Sequence, residues 1–294
     1  MAHKAIDLFA GPGGLSLGLK AAGFDIIAAV EMDADAGKTY RHNIGSHTEI
    51  EDITKFRPKR LRKKLEEGGV LEPGETLSLV AGGPPCPGFS LIGRSKIMDL
   101  IKKGEYGDSK DARHGFIDDS RNHLFLEFVR YVKEFKPDYF VMENVSGMSS
   151  YQIEEDPIVE VIKKKFTGYI VNEKILCASD YGVPQNRKRI IFMGYKEGVN
   201  PCDPDLPTTG PRLIALDAIR DLVGALPSKN GIVRVRDTST NSAGGRFRTQ
   251  MRNWPCTRPD GTIVVSRSGF KTGHWTRSVN DRDAVLFPFI KSGA

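Results

Sequence analysis

The sequence has few cysteines, no long apolar run and no internal repeats. Its four cysteines lie far apart and form no Cys-x-x-Cys pair, which argues against a disulfide framework or a zinc finger and favours a reducing compartment, the cytoplasm. No apolar stretch reaches the roughly 20 residues of a membrane span, and the amino terminus has no signal-peptide core. The six histidines show no metal-ligand spacing, so we expect no metal site.

Chain length limits the number of domains, and the distribution of charge indicates the kind of partner. A chain of 294 residues with 39% hydrophobic residues can bury the core of one large domain, or of one domain and a fraction. The net charge of +6 is unevenly distributed: residues 229–294 contain 12 Lys or Arg and 4 Asp or Glu, and the remainder is slightly acidic. A basic region of this kind is expected where a protein meets a polyanion such as nucleic acid.

Apolar patterns alternate between strand and helix up to residue 194. This order predicts an α/β fold with a doubly wound, mostly parallel sheet. The predicted strands are 5–9, 26–30, 77–81, 139–142, 169–176 and 190–194, and the predicted helices are 15–22, 34–43, 122–135 and 158–166. Four prolines between residues 201 and 211 indicate a linker. We therefore predict a catalytic domain over 1–200, and a linker with a small, irregular, partial second domain over 201–294.

A glycine-rich turn follows the first predicted strand. Gly11-Pro12-Gly13-Gly14 stands between a strand and a helix, an arrangement typical of nucleotide-cofactor sites. Glu31 ends the second strand about 20 residues later, where a carboxylate can accept hydrogen bonds from a ribose diol. Asp52 follows at the end of a third strand, where it could face a base edge. These features fit NAD, FAD and S-adenosylmethionine equally.

Three strand ends carry residues of possible catalytic use. The predicted strand 77–81 breaks into two glycines and two prolines, which carry a cysteine out of the sheet. A thiolate there would be a nucleophile, whereas a small buried hydrophobe is the ordinary role of a lone cysteine. For Glu143 the ordinary alternative is a structural ion pair, and for Arg187 with Arg189 it is a solvated basic loop. The residues concerned are Cys86, Glu143 with Asn144, and Arg187 with Arg189.

Four ordered motifs resemble those of the DNA cytosine-5 methyltransferase family, over about residues 4–195. They are Asp7-Leu8-Phe9-Ala10-Gly11-Pro12-Gly13-Gly14-Leu15, Gly83-Pro84-Pro85-Cys86, Glu143-Asn144-Val145 and Gln185-Asn186-Arg187-Lys188-Arg189. The stretch Asp119-Ser120-Arg121-Asn122-His123-Leu124-Phe125 also resembles a segment of that family. Because the motifs are independent and in the family's order, together they are far more specific than any one of them.

The resemblance implies a site for S-adenosylmethionine, with S-adenosylhomocysteine as the product. Phe9 would stack on the adenine, and Glu31 would bind the ribose hydroxyls. Met32 would pack on the adenine, and Asp52 with Ile53 would bind its edge. The implied cofactor residues are Phe9, Ala10, Gly11, Gly13, Gly14, Leu15, Glu31, Met32, Asp52, Ile53, Pro84 and Leu124.

The resemblance also implies how the strand ends act together. The cysteine would attack carbon 6 of a cytosine flipped out of the DNA stack, and Glu143 would bond ring nitrogen 3 and the exocyclic amine. Arg187 would hold the cytosine oxygen and orient Glu143, with Arg189 supporting that pair. The implied catalytic residues are Cys86, Glu143, Arg187, Arg189, Pro85 and Asn144.

Two departures from the family pattern affect what can be expected. Pro87 follows the cysteine where many relatives carry glutamine or asparagine. The family's closing pattern, a recognition region followed by a Gly-Asn helix, is not found, and Val279 through Gly293 looks like a segment that precedes most of the recognition region. The chain could be a truncated form, the catalytic subunit of a split enzyme or a divergent short form. The expected partners are double-stranded DNA and a second polypeptide that supplies the missing motifs.

The leading expectation is a restriction-modification enzyme that methylates DNA. It would be a cytoplasmic protein, encoded by a bacterium or a phage and associated with the nucleoid through DNA. The same chemistry on tRNA, as in the RNA-modifying branch of the family, is the nearest alternative. A catalytically idle nucleic-acid-binding relative is a second alternative, which the intact Cys86, Glu143 and Arg187 argue against. An NAD-dependent oxidoreductase would leave Pro85-Cys86 and the arginine loop unexplained.

Overall fold

The structure is a computed structural model. It describes residues 3–85, 124–150, 152–153, 156–203, 212–219, 233–236, 256–257, 263–264 and 270–274. The chain divides into two compact units. The first comprises Met1–Leu176, Lys188–Leu206 and Arg258–Asp260, and the second comprises Cys177–Arg187, Pro207–Thr257 and Gly261–Ala294. The predicted boundary at residue 200 stays a prediction.

The first unit is built on a seven-stranded sheet. In chain order its strands are β1 (His3–Leu8), β2 (Phe24–Glu31), β3 (Thr48–Ile50), β4 (Leu79–Gly82), β5 (Tyr139–Val145), β8 (Tyr169–Cys177) and β9 (Lys188–Lys196). They lie in the order β3-β2-β1-β4-β5-β9-β8. The pairs within β3-β2-β1-β4-β5 are parallel, whereas β9 runs antiparallel to β5. The sheet confirms the predicted mostly parallel α/β fold.

Five helices accompany this sheet in the described part of the first unit: α1 (Gly14–Ala21), α2 (Ala34–Asn43), α3 (Pro58–Glu67), α4 (Phe125–Phe135) and α5 (Ile158–Lys165). Two of the helix ends show ordinary capping. The Asp33 carboxylate caps α2 by accepting from the N–H groups of Asp35 and Ala36. The helix α4 ends at Lys136, which adopts a left-handed conformation with φ 46° immediately before Pro137.

Apolar side chains cover both faces of the sheet. On one face, Ile6 and Leu8 belong to a cluster that also contains buried residues of α3, α4 and α5. On the other face, Ala5 and Ala81 pack with Leu15 of α1. Successive strand residues point to opposite faces, so the run 5–8 is apolar or buried throughout, as expected of a central parallel strand.

Shorter elements complete the described residues. The two-residue strands β6 (Gln152–Ile153) and β7 (Asp156–Pro157) pair antiparallel in the first unit. The described parts of the second unit include α6 (Ala215–Ile219) and two antiparallel pairs, formed by β10 (Val233–Arg236) with β13 (Phe270–His274) and by β11 (Cys256–Thr257) with β12 (Ile263–Val264). Among the described helices, none is long and apolar enough to cross a membrane.

Two strand predictions differ from the structure in a way that affects the site. The strand predicted over 139–142 continues to Val145, and the strand predicted over 190–194 spans Lys188–Lys196. The two strands pair antiparallel from Tyr139↔Tyr195 to Val145↔Arg189. Glu143 and Asn144 therefore lie inside β5, and not beyond its end as predicted, because the ladder with β9 extends over polar residues that an apolar pattern does not mark.

Candidate functional site

The turn between β1 and α1 is built from residues with left-handed backbone conformations. Gly11 and Gly13 have φ values of 55° and 100°, which favour glycine. Phe9 has φ 57°, and a left-handed conformation is rare for so bulky a side chain. A Cβ atom at position 13 would lie 2.6 Å from Ile44 Cγ1, so α2 packs directly on the turn. The turn is thus held in an unusual and tightly packed conformation.

The carboxylate of Glu31 is fixed by two backbone groups. Gly11 N donates to Glu31 Oε2 and Asp33 N donates to Glu31 Oε1, both at 2.7 Å. The first bond joins the glycine turn to the end of β2. An ionised carboxylate has about four acceptor positions, so each oxygen keeps capacity for a further donor. Glu31 is therefore pre-oriented to accept hydrogen bonds from a ligand.

A cavity of about 290 Å³ opens beside this turn. Its lining combines apolar side chains with three carboxylates and comprises Phe9, Val30, Glu31, Met32, Glu51, Asp52, Ile53, Gly83, Pro85 and Leu124. Met32 is 69% exposed, which is high for a large apolar side chain that lines a cavity. The lining offers apolar surface to a flat ring and acceptors to hydroxyl or amino groups.

One wall of the cavity comes from the turn after β3, residues 52–56, which we call the 52–56 turn. Asp52 Oδ1 accepts from Thr54 N at 3.0 Å and from Thr54 Oγ1 at 2.7 Å. These hydrogen bonds, led by the hydroxyl, lower the pKa of Asp52, and Lys55 adds to the effect. The group is therefore an ionised acceptor at neutral pH.

Three buried polar side chains, Asp7, Ser16 and Tyr40, form a hydrogen-bonded chain with the half-buried His47. Ser16 Oγ donates to Asp7 Oδ2 at 2.7 Å, the Tyr40 hydroxyl is hydrogen-bonded to Ser16 Oγ at 2.7 Å, and His47 Nε2 lies 3.1 Å from that hydroxyl. Burial raises the pKa of Asp7 to about 7, against the opposing effect of Ser16. Burial also raises the pKa of Tyr40, and burial followed by the charge of Lys20 lowers the pKa of His47. The chain connects β1, α1, α2 and the start of β3.

The loop after β4 is held by two neighbouring residues of β5. A Cβ atom at position 83 would lie 3.2 Å from Glu143 Oε2, so glycine there gives the carboxylate room. Asn144 is 2% exposed, and its Nδ2 donates to the carbonyl oxygen of Pro84 at 3.1 Å. Asn144 Oδ1 also accepts from Val145 N at 2.8 Å. The loop therefore leaves the sheet in a fixed direction.

The carboxylate of Glu143 forms an ion pair across the β5–β9 ladder. Arg189 Nε lies 2.6 Å from Glu143 Oε1, and Arg189 Nη1 donates to the carbonyl oxygen of Lys188 at 2.8 Å. The side chains of Glu143 and Arg189 are 35% and 22% exposed, so the pair is partly shielded from water. Arg189 thus contacts the carboxylate that sequence reasoning assigned chiefly to Arg187.

Arg187 lies in the second unit, and its side chain is exposed. Its backbone N–H donates to the carbonyl oxygen of Gln185 at 3.0 Å, and its carbonyl oxygen accepts from Ala178 N at 2.9 Å. In the same unit, Arg212 Nη2 donates to Asn186 Oδ1 at 3.2 Å. The role of Arg187 toward a cytosine stays a prediction. Cys86 lies outside the described residues, as does the segment 119–123 of the motif that precedes Leu124.

The cavity brings together half of the predicted cofactor residues. Those that line it are Phe9, Glu31, Met32, Asp52, Ile53 and Leu124, joined by Pro85 from the predicted catalytic set. Gly11 contributes through its bond to Glu31, and the Pro84 carbonyl is bound by Asn144. Ala10 and Gly13 are buried in the turn, Gly14 is exposed at the start of α1, and Leu15 packs against the sheet.

Sequence reasoning missed several residues that shape the site. Val30, Glu51 and Gly83 line the cavity without having been predicted to do so. Their signal was adjacency, since each is next to a predicted residue or motif. The polar residues Ser16 and Tyr40 were missed as well, although both occupy buried positions on helices.

A strand–glycine turn–helix unit, a fixed carboxylate at the end of β2 and a cavity beside them define an α/β protein with a nucleotide-type ligand site. The family model described as C-5 cytosine-specific DNA methylase matches residues 3–258. The chain therefore belongs to the C-5 cytosine-specific DNA methylase family, as the resemblance predicted.

Individual relatives agree with this membership. The Type II methyltransferase M1.HphI of Haemophilus parahaemolyticus is 35% identical over 231 residues, which are 78% of this chain and 54% of that protein. M.DdeI of Desulfomicrobium norvegicum is 41% identical over 195 residues, 65% of this chain and 40% of that protein. A solved structure assigned as a DNA modification methyltransferase of an E. coli prophage matches with a TM-score of 0.69 and 26% identity, over 95% of this chain and 73% of that one. The chain spans about half the length of the first two relatives.

Proposed function

We propose that this chain transfers a methyl group from S-adenosylmethionine to carbon 5 of cytosine in DNA. The observation that carries the proposal is the cavity, because it joins the glycine turn to the loop before the candidate nucleophile. Phe9 and Glu31 line it together with Gly83 and Pro85. A cofactor bound there would therefore contact Pro85, which directly precedes Cys86 in the sequence.

The lining fits the adenosine part of the cofactor. Glu31 offers both carboxylate oxygens to a ribose diol, and Asp52 offers an ionised acceptor to the adenine amino group. Phe9 and Leu124 supply apolar surface for the base, and exposed Met32 gains an apolar partner when a base is present. The volume of about 290 Å³ is near the lower end of the roughly 300–1,000 Å³ that small-molecule sites occupy. When bound, S-adenosylmethionine supplies the methyl group that carbon 5 of the cytosine receives.

The chain's own residues would activate the base. Cys86 would form a bond to carbon 6 of a cytosine flipped out of the duplex, and would leave again when carbon 5 loses its proton. Glu143, in its protonated form, would donate its proton to ring nitrogen 3, where electron density collects as the carbon–sulfur bond forms, and would accept a hydrogen bond from the amino group. Arg189, 2.6 Å from Glu143 Oε1, would keep this carboxylate in place. Arg187 would bind the cytosine oxygen.

The loop after β4 would give the nucleophile its direction. Asn144 is buried and bonds the Pro84 carbonyl, two residues before the cysteine. A nucleophile that is already held in the right position reacts faster. Its freedom of motion is lost when the protein folds, and so it does not have to be lost again on the way to the transition state. This supports Asn144 as a positioning residue for Cys86, the proposed nucleophile.

The proposal is tested by incubating the chain with labelled S-adenosylmethionine and either duplex DNA or tRNA, and mapping 5-methylcytosine. We expect label at carbon 5 of cytosine in DNA, and a covalent protein–DNA adduct when the DNA contains 5-fluorocytosine. Cys86→Ser should abolish both while S-adenosylhomocysteine still binds. Transfer to tRNA alone would favour the RNA alternative, and an adduct that persists in Cys86→Ser would remove that residue from the mechanism.

The second polypeptide predicted from the sequence belongs to the same proposal and needs its own test. The same assay is therefore run with the chain alone and with a separately expressed product of the adjoining reading frame. Methylation that requires both would support a split enzyme. Sequence-specific methylation by the 294 residues alone would show that no second polypeptide is needed.

A further inference from the structure

Two side chains of α4 donate hydrogen bonds to the 52–56 turn. Arg130 Nη2 donates to the carbonyl oxygen of Ile53 at 2.9 Å, and Tyr131 Oη donates to that of Phe56 at 2.7 Å. Tyr131 and Phe56 are buried, and Ile53 lines the cavity. The helix therefore fixes a wall of the cavity although it lies 75–77 residues further along the chain.

One peptide plane joins Arg130 to the carboxylate of Asp52. The carbonyl of Ile53 and the N–H of Thr54 belong to the same peptide unit, which is planar and rigid. Arg130 binds the oxygen of this unit, and Asp52 Oδ1 accepts from its N–H at 3.0 Å. A rotation of the plane would break both bonds. Arg130 therefore acts on the orientation of the Asp52 carboxylate through this peptide, alongside the Thr54 hydroxyl, which binds the same oxygen at 2.7 Å.

Glu127 holds Arg130 in place from the preceding turn of α4. Its Oε2 forms an ion pair with Arg130 Nη2, the same nitrogen that donates to Ile53. The side chain of Glu127 is 21% exposed and that of Arg130 is 39% exposed. A partly shielded pair of this kind loses less of its attraction to water and salt than a surface pair does.

We propose that Arg130 is a positioning residue that makes the cavity selective for a purine with a 6-amino group. The inference rests on the proposed cofactor site, in which Asp52 accepts from the adenine amino group. A carboxylate is an acceptor only, so it favours a ring substituent that donates. The preference is strong when the carboxylate is oriented before the ligand arrives, because no ordering cost is then incurred on binding. Arg130 supplies this orientation without contacting the ligand.

Calorimetry on the full chain tests the inference with two ligands. One is S-adenosylhomocysteine, and the other is its analogue with hydrogen in place of the 6-amino group. The unsubstituted chain should bind the first more tightly. In Arg130→Met the ratio of the two affinities should fall by about tenfold, the worth of about one charge-assisted hydrogen bond. The fall should come from weaker binding of S-adenosylhomocysteine.

Arg62 provides a matched control. It donates to the carbonyl oxygens of Glu75 at 3.1 Å and Glu134 at 2.9 Å and pairs with the Glu134 carboxylate, but none of these groups lines the cavity. Arg62→Met should therefore leave the ratio unchanged. Arg130→Lys keeps one donor but not the planar fork, so its ratio should be intermediate.

Each outcome bears on the inference. An unchanged ratio in Arg130→Met, or an equal fall in Arg62→Met, would show that Arg130 is only structural. If circular dichroism shows that Arg130→Met does not fold, Arg130→Lys decides: a lowered ratio supports the inference and an unchanged ratio overturns it. Failure of the unsubstituted chain to bind S-adenosylhomocysteine would overturn the proposed cofactor site and the inference with it. Binding with a ratio independent of Arg130 would overturn the inference alone.

Discussion

The buried carboxyl of Asp7 gives the folded protein a specific dependence on pH. Asp7 is fully buried, and it accepts hydrogen bonds from the hydroxyl and the backbone N–H of Ser16. Its other oxygen, Oδ1, has no hydrogen-bond partner among the described residues. Burial is the largest influence and raises the pKa from 3.8 to about 7, because a charge is poorly solvated there. The folded protein therefore retains a proton on Asp7 under conditions where the unfolded chain has lost it.

The sign of the effect follows from this difference. Between pH 3.8 and about 7 the folded state binds the proton and the unfolded state does not. The favourable contribution of Asp7 to the free energy of unfolding is therefore complete below pH 3.8 and is lost as the pH rises to about 7. At about 1.4 kcal/mol per pH unit, a shift of about three units amounts to about 4 kcal/mol.

Asp7→Asn removes the titration while keeping the shape and an acceptor for Ser16. The variant should gain stability relative to the unsubstituted chain as the pH rises from 4.5 to 8, by up to about 4 kcal/mol. Urea unfolding followed by circular dichroism at several pH values measures this difference. Asp52→Asn is the control. Thr54 lowers the pKa of Asp52 below its ordinary value of 3.8, so its contribution is lost only at lower pH, and the stability difference between this variant and the unsubstituted chain should stay nearly constant from pH 4.5 to 8. Parallel stability curves for Asp7→Asn and the unsubstituted chain would refute the reasoning.

Three further substitutions probe the site. Glu31→Gln places an amide against the two backbone N–H donors that hold the carboxylate, so calorimetry should show weaker binding of S-adenosylhomocysteine by about 1–3 kcal/mol. An unchanged affinity would contradict the role of Glu31. At Gly13, with φ 100°, an added Cβ would lie 2.6 Å from Ile44 Cγ1, so Gly13→Ala should lower the free energy of unfolding measured in urea by about 1–3 kcal/mol. Gly14→Ala should lose far less, because no atom of the described residues lies within 4 Å of the added Cβ. Asn144→Ala removes the hydrogen bond to the Pro84 carbonyl, so the covalent adduct with 5-fluorocytosine DNA should form more slowly while the affinity for S-adenosylhomocysteine is kept. An equal loss of both would indicate general damage to the fold.

Local sequence patterns were sufficient to predict most of the strands of the sheet and several of its helices. The helix predicted over 34–43 is observed as Ala34–Asn43, because Asp33 is a clear amino-terminal cap and the apolar spacing is regular. The first strand and the glycine turn were also predictable, since a buried parallel strand is apolar throughout and a left-handed turn needs glycine. The left-handed conformation of Phe9 had no such signal, because its residue type argues against it.

The antiparallel direction of β9 could not be predicted from local patterns. An apolar run of five residues at 190–194 indicates a buried strand and is silent on its direction. The direction matters for the site, because it brings Arg189 opposite Val145 and its guanidinium to Glu143. A parallel strand in the same place would deliver its own carboxyl end, and not its amino end, to this edge of the sheet.

The polar residues that support the site carry a sequence signal too, although a weaker one. A polar side chain at a buried helix position needs a hydrogen-bond partner, since an unsatisfied buried group costs about 1–3 kcal/mol. Ser16 and Tyr40 both occupy such positions, and each bonds the other across two helices. Tyr131 does the same for Phe56. Sequence alone can therefore predict that such residues have buried partners, but the partners themselves lie in distant segments and follow only from the fold.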